Sequence, residues 1–317
     1  AYLREQQFLT EEAEVAIKTS FSEEITKNLE AVFSEEEVTS TLEKELNDVY
    51  KSFEIQAIDP AGKKSKIRLV DAISKGLYQS MERHKDMVIM GQDIASYGGV
   101  FKITEGFLEA FGMERVRNTP ICESSIIEAA YGLSVSGIKS IVELQFGDFI
   151  STGFNPVVNL LAKSHYRWGQ AADIVLRMPC GAGVGAGPFH SQTNEAWFTK
   201  TPGLKVVYPA FPKDAKGLLC ASIEDPNPVL FFEHKQLYRS VYQEVPDDYY
   251  TIPLGKAAKL KEGNEVTVIS YGAGVHWALS TVDKLKVAAD LIDLRTLQPL
   301  DMPCIYDSVR KTGKVII

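Results

Sequence analysis

The stretch Asn118-Thr-Pro-Ile-Cys-Glu-Ser-Ser-Ile-Ile-Glu-Ala-Ala-Tyr-Gly-Leu-Ser-Val-Ser-Gly137 is nearly all small or apolar, with Glu123 at its turning point. Proline at 120 pushes the residue before it out of the helical region, so the entry is extended. Ile126, Ile127, Ala130 and Leu133 to Val135 then recur as on a buried helix. Glu123 therefore sits where a strand gives way to a helix. A carboxylate in such surroundings is costly to bury unless something binds it. It is either a first-turn carboxylate favoured by the helix dipole or a group held ready for a ligand or a proton.

Working outward, the same alternation continues on both sides. Apolar runs at 87–90, 140–144, 173–178, 205–208 and 229–232 read as strands. Helical spacing falls at 69–83, 124–135, 156–166 and 213–223. Continuous apolar strands joined by helices predict an α/β fold, a parallel sheet with helices on both faces. After an acidic, tyrosine-rich link at 244–253 a second unit begins. Its strands are expected at 266–271, 291–294 and 315–317, with helices near 275–285 and 305–311, so the chain is expected to stop inside an incomplete domain.

The first 60 residues differ. They hold no glycine, 15 acidic and 5 basic residues. That local −10 exceeds the −8 of the whole chain, so the rest is near neutral. Ile17, Phe21, Ile25, Leu29, Val32 and Phe33 mark one amphipathic helix, and Val38, Leu42, Leu46, Val49 and Phe53 a second. Ser34 and Glu37 have the spacing of a capping box between them. The expected division is a helical arm over 1–60, a polar linker over 61–66, an α/β domain over 67–243 and an incomplete α/β domain over 252–317.

Composition narrows the function. Hydrophobic residues make up 45% and charged residues 24%, ordinary for a globular protein. No basic stripe suggests a nucleic-acid partner, and no run has the length of a membrane span. Cys122, Cys180, Cys220 and Cys304 lie far apart without a CxxC pair, which favours reduced thiols over a disulfide or metal framework. Gly181-Ala-Gly-Val-Gly-Ala-Gly187 is no dinucleotide fingerprint, because Pro188-Phe-His190 follows it instead of a helix. It reads as a loop presenting His190, and loops are where catalytic groups concentrate. Phe146 and Phe149 follow a strand, as core aromatics or as a platform at its carboxyl end, where open α/β sheets bind ligands.

Several segments in order carry a family resemblance: Met90-Gly-Gln-Asp93, Asn118 to Glu123, Glu143 to Ile150, His190-Ser-Gln192, Asp214-Ala-Lys-Gly-Leu218, Phe231 to Arg239 and Asp293-Leu-Arg-Thr-Leu-Gln-Pro299. Over 67–317 the chain resembles the beta subunit of the thiamine-diphosphate-dependent component of 2-oxo acid dehydrogenase complexes. The segments Gln145 to Phe149 and Phe231 to Arg239 resemble the branched-chain (2-oxoisovalerate) type most. Pyruvate as substrate, a transketolase-like transferase and a non-catalytic assembly module are the alternatives.

The resemblance implies a thiamine-diphosphate pyrimidine-module fold, followed by the start of a transketolase-like C-terminal domain. It implies that Glu123 bonds the pyrimidine nitrogen of the cofactor and promotes the tautomer that activates it. Phe149 stacks on the pyrimidine, Ile121 and Gln145 surround it, and His190 faces acyl transfer to a lipoyl arm. It also implies a structural potassium ion, held mainly by backbone carbonyls, around Ala172, Ile174, Val175, Ser222, Asp225 and Asn227. The Gly-Asp-Gly motif that binds Mg²⁺ and the diphosphate in this family belongs to the alpha subunit and does not occur in this sequence. The arm resembles the tail of such an alpha subunit. The expected native protein is thus an alpha–beta fusion, with this chain inactive by itself. The expected partners are an alpha-type module, a second beta module and a lipoyl-bearing acyltransferase core, in a cytoplasm or mitochondrial matrix. Glu128 departs from the family pattern, a second carboxylate where a small residue is usual.

Overall fold

A computed structural model describes residues 1–55, 57–60 and 62–317. Gln56 and Ala61, in the expected arm and linker, lie outside the described residues. Ala1–Leu46 and Asn47–Ile317 form two compact units. In the first, a helix spans Glu11–Phe33. Thr10 caps it by accepting the Ala13 N–H at 3.2 Å, and Glu11, Glu12 and Glu14 suit the positive end of its dipole. The apolar residues Phe21, Ile25, Leu29 and Val32 are exposed.

Two expectations for the arm need correction. Ser34 does not open a capping box. It ends the first helix, and its hydroxyl donates to the Ala31 carbonyl at 2.7 Å. The second helix is shorter than its apolar spacing suggested. It spans Leu42–Asp48, with the Thr41 hydroxyl accepting the Lys44 N–H. A short helix is marginal without packing, and this one buries no residue.

In the second unit the strands in chain order are β1 (Lys64–Arg68), β2 (Val88–Gly91), β3 (Val116–Asn118), β4 (Ser140–Glu143), β5 (Ile174–Cys180), β6 (Lys205–Val207), β7 (Val229–His234), β8 (Tyr242–Pro246), β9 (Ala258–Lys261), β10 (Val266–Ser270), β11 (Ala289–Asp293), β12 (Thr296–Gln298) and β13 (Val315–Ile316). Seven form one sheet in the order β12-β6-β7-β5-β4-β2-β3. All its pairs are parallel except β12 with β6. Ile141 and Val175 face one core cluster while Val142 and Leu176 face another. That alternation buries both faces, the arrangement expected of parallel strands with helical crossovers. A second sheet runs β13-β10-β11-β9, and β1 pairs with β8 as an antiparallel ribbon. The expected helix over 156–166 is instead a π-helical turn, Pro156–Leu161, followed by Ser164–Trp168. No described helix is long and apolar enough to cross a membrane.

Charged groups fix the carboxyl ends of the central strands. Arg177 on β5 is fully buried. Its Nε and Nη2 donate to the two oxygens of Glu233 on β7, each at 2.8 Å, and Nη1 donates to Glu143 on β4. The Tyr238 hydroxyl adds a 2.5 Å hydrogen bond to Glu233. Burial drives the Glu143 carboxyl upward against the opposing pull of Arg177. At the other sheet, Arg295 donates to Asp214 at 2.7 Å, and its backbone N–H to Asp293 at 3.0 Å. Burial, then the Asp214 charge, push the Asp293 carboxyl up to about 7.

Two outcomes follow from these clusters. Arg177→Met strands two carboxylates in the core, so chemical denaturation should show a loss of about 3–5 kcal/mol, the scale for breaking a buried ion pair. For Asp293 the folded state takes up a proton more readily than the unfolded state. Its contribution therefore falls as pH rises from the ordinary aspartate range toward 7, by at most about 1.4 kcal/mol per pH unit. Asp293→Asn should flatten that decline, read as the urea midpoint at pH 5 against pH 7.5.

Candidate active site

The carboxyl ends of β2, β3, β4, β5 and β7 converge on one region, the ligand-binding edge of an open parallel sheet. The chain leaving β3 turns into the helix Glu123–Val135, whose first residue is Glu123. Its carboxylate is 8% exposed. Oε1 accepts the Gln92 amide at 3.3 Å, just beyond β2. Oε2 lies 3.0 Å from the Thr152 hydroxyl, which is also 2.9 Å from the Phe149 carbonyl. One hydroxyl proton is thus shared between Glu123 and the segment carrying Phe149. Both donors to Glu123 are neutral groups.

Beyond β4 the chain forms a 3₁₀ helix, Gly147–Ser151, that carries Asp148 and Phe149. Beyond β5 it passes through Gly181, Gly183, Gly185 and Gly187, all at positive φ, and into a turn, Pro188–His190. A side chain on Gly181 would overlap the His234 ring, which explains the glycine there. The His190 ring lies edge-on to Phe146 and Phe149, with centroids 4.7 and 5.6 Å away. Phe146 and Phe149 are 5.7 Å apart.

The structure thus brings Glu123, Phe149 and His190 to one place, bridged by Thr152 and Phe146. Gln145 is half-buried beside them and donates to Asp93 at 2.9 Å. Ile121 is 84% exposed. Glu128 points outward, exposed, and accepts the Ser124 hydroxyl at 3.4 Å.

The residues expected around potassium lie elsewhere. Asp225 pairs with Lys205 and accepts the Asn227 side-chain and backbone N–H groups at 2.8 and 3.0 Å. Asn227 is also bonded to the Lys51 backbone, and Ser222 donates to Leu218. The Lys205 ammonium already neutralises the one carboxylate in this set. With these side chains so engaged, a cation there would rest on backbone carbonyls.

Sequence reading passed over Gln92, Thr152, Asp148 and Lys235. Asp148 is buried, and one of its oxygens accepts the N–H groups of Ser191 and Gln192, each at 3.0 Å. It thereby ties the Phe149 helix to the residues after His190. All but Thr152 lie in segments that carry the family resemblance, but no periodicity distinguishes them. Among the described residues, no group of three or more His, Cys, Asp and Glu is placed to hold a metal ion.

The residues at Glu123 fit the pyrimidine end of a thiamine cofactor: a carboxyl group able to share a proton with a ring nitrogen, and aromatic rings nearby. Comparison with known proteins points the same way. The family "Transketolase, pyrimidine binding domain" matches residues 65–241, and "Transketolase, C-terminal domain" matches 255–317. A 2-oxoisovalerate dehydrogenase subunit beta from Bacillus subtilis is 45% identical over 253 residues, 78% of this chain and 77% of that protein. The mitochondrial 2-oxoisovalerate dehydrogenase subunit beta of Dictyostelium discoideum is 45% identical over 84% of this chain and 73% of its own length. A pyruvate dehydrogenase E1 component subunit beta from Acholeplasma laidlawii is 43% identical over 79% and 78%. A solved structure described as a split gene transketolase, inactive beta4 tetramer, superposes with a TM-score of 0.63 at 25% identity, covering 78% of this chain and 77% of that one.

Proposed function

Because the chain belongs to the family of 2-oxo acid dehydrogenase beta subunits, with its transketolase pyrimidine-binding and C-terminal domains, we propose that it supplies the pyrimidine half of a thiamine-diphosphate site for oxidative decarboxylation of a branched-chain 2-oxo acid. The acyl group then passes to a lipoyl arm. The observation that carries this reading is Glu123, a buried carboxylate at a helix start, held by two neutral donors. When bound, the cofactor supplies the carbon nucleophile and electron sink of decarboxylation.

The residues of this chain supply orientation and proton control. Glu123 would share a proton with the pyrimidine ring nitrogen. Gln92 and Thr152 fix the direction of its two oxygens. Phe149, Gln145 and Ile121 would line the ring's side of the site, and His190 would face acyl transfer to the lipoyl arm. The diphosphate and Mg²⁺ would be held by an alpha-type module, which the arm's resemblance to an alpha-subunit tail suggests is fused to this one. A second beta module and an acyltransferase core complete the assembly. On this reading the alpha-like arm runs to 60, its part from Asn47 onward belonging to the second compact unit; the linker 61–66 already enters β1 at Lys64; the pyrimidine module spans 67–243 and the C-terminal module begins at 252. The chain alone is then a half-site. The solved split-gene transketolase, an inactive tetramer of beta chains by its description, is consistent with that.

The branched-chain assignment rests on the segments Gln145 to Phe149 and Phe231 to Arg239. Relatives of both substrate types match at similar identity. In the enzyme assembled with its alpha-type module, Glu123→Gln should lower 2-oxo acid decarboxylation by about 10²–10⁴-fold, the span of a lost acid–base group, while the thermal midpoint holds. Near-normal turnover in that variant would refute the role of Glu123. With the wild-type assembly, kcat/KM for 2-oxoisovalerate should exceed that for pyruvate by at least about 10-fold, roughly what a pocket fitted to a few extra methyl groups provides. The reverse order would assign the pyruvate type.

A further inference from the structure

Lys235 is a buried ammonium that the mechanism above does not use. It follows the last residue of β7, its backbone N–H donates to the Cys180 carbonyl at 3.0 Å, and its side chain is 4% exposed. Its Nζ has no hydrogen-bond partner among the described residues. It sits 5.4 Å from the centroid of Phe146, a ring that also meets Phe101, Phe149 and His190. Asp148 is its counterpart. One oxygen of Asp148 holds the Ser191 and Gln192 amides, and the other, Oδ2, is buried with no partner among the described residues. Burial pushes the Lys235 ammonium down, and Cys180 and then Asp148 oppose that push. Both charges reach the His190 segment: Lys235 through the Phe146 ring that meets His190, and Asp148 through the N–H groups of Ser191 and Gln192. Separately each is costly to hold in the core, and together they offset one another.

We propose that Lys235 is the counter-charge of Asp148, and that the pair positions the segment carrying His190 for acyl transfer. Lys235 acts through Asp148 on the backbone at 191–192 and through Phe146 on the imidazole ring. Its contact with the ring cluster runs through Phe146, so it is a positioning residue and not a catalytic one. This inference rests on the reading of His190 as the group facing acyl transfer.

The test uses the assembled enzyme with four variants: Lys235→Met, Lys235→Arg, Asp148→Asn and the Lys235→Met/Asp148→Asn double. One readout is independent of activity, the hydrogen–deuterium exchange of the amides at Ser191 and Gln192. The other is acyl transfer to a lipoyl domain, compared with decarboxylation measured by an artificial electron acceptor. Exchange should quicken in Lys235→Met and return toward wild type in Lys235→Arg. Transfer should fall about 10-fold or more, the scale on which small misplacements act, and by a larger factor than decarboxylation. The double variant should be no worse than the poorer single variant, the signature of groups acting as a pair.

Wild-type exchange in Lys235→Met, additive losses in the double variant, or equal losses of transfer and decarboxylation would each overturn the proposal. His190→Ala, run in parallel, separates the two readings. If it keeps full transfer, the role of His190 fails, and the exchange data still decide whether Lys235 holds the segment.

Discussion

The Arg177 cluster is the constraint on which the site depends. Arg177, Glu143 and Glu233 sit on adjacent parallel strands β5, β4 and β7, with the guanidinium bonded to both carboxylates. A planar guanidinium in a bidentate contact fixes separation and twist together, which a single apolar contact cannot do. The residues that follow these strands build the site. Glu143 leads to Gln145, Asp148 and Phe149; Arg177 leads to the glycine loop and His190; Glu233 leads to His234 and Lys235. A shift of one strand against its neighbour would displace rings that now meet at 4.7 to 5.7 Å. The net desolvation cost of such a cluster is large, and a well-packed apolar core would be at least as stable. Its retention under the site is better explained by register than by stability.

Glu123 is held by a different logic. It needs a strand-to-helix turn, so that it reaches the edge of the sheet, and donors that leave it charged. β3 and the helix Glu123–Val135 provide the turn. Gln92 and Thr152 provide the donors from two other crossovers. Thr152 also touches the carbonyl of Phe149, so the acid and the ring that would lie against one cofactor share a hydroxyl. A change at one is therefore felt at the other without any direct contact between them.

Much of this was legible in the sequence. Alternation of apolar strands with helices is a backbone-scale signal, and it predicted the parallel sheet. The junction at Glu123 showed because a lone carboxylate stands out in an apolar run after Thr-Pro. His190 showed because glycines precede it. The arm was less legible. Helical spacing over 38–53 predicted a long second helix, but spacing states only which face would be buried, and beyond Asp48 the chain bonds away from a helix, with the Lys51 N–H and carbonyl both held by the Asn227 side chain. The π-helical turn at Pro156–Leu161 was hidden for a related reason, since its apolar residues fit helical spacing within the error of so short a run. Gln92, Thr152, Asp148 and Lys235 were invisible as chemistry because each acts across strands far apart in the sequence.

The pattern of buried charge separates scaffold from function. Glu143 and Glu233 share Arg177, Asp214 holds Arg295, Asp225 holds Lys205, and Asp290 holds Lys311. In each case the partner is a cation and the pair belongs to the fold. Glu123, Asp148, Glu195 and Asp293 depart from this: Asp148 and Asp293 accept backbone N–H groups, and Glu195 accepts the Tyr271 hydroxyl at 2.9 Å. Only neutral donors answer Glu123, and one of them, Thr152, also meets the carbonyl of Phe149, the ring beside His190. A carboxylate without a cation retains its full affinity for a proton or a ring N–H, whereas one bound to arginine has given most of that away. Lys235 inverts the case, a buried cation over the Phe146 ring. Glu123, Asp148 and Lys235 all adjoin the segments that carry Phe146, Phe149 and His190, which is where a protein would keep charge it intends to use.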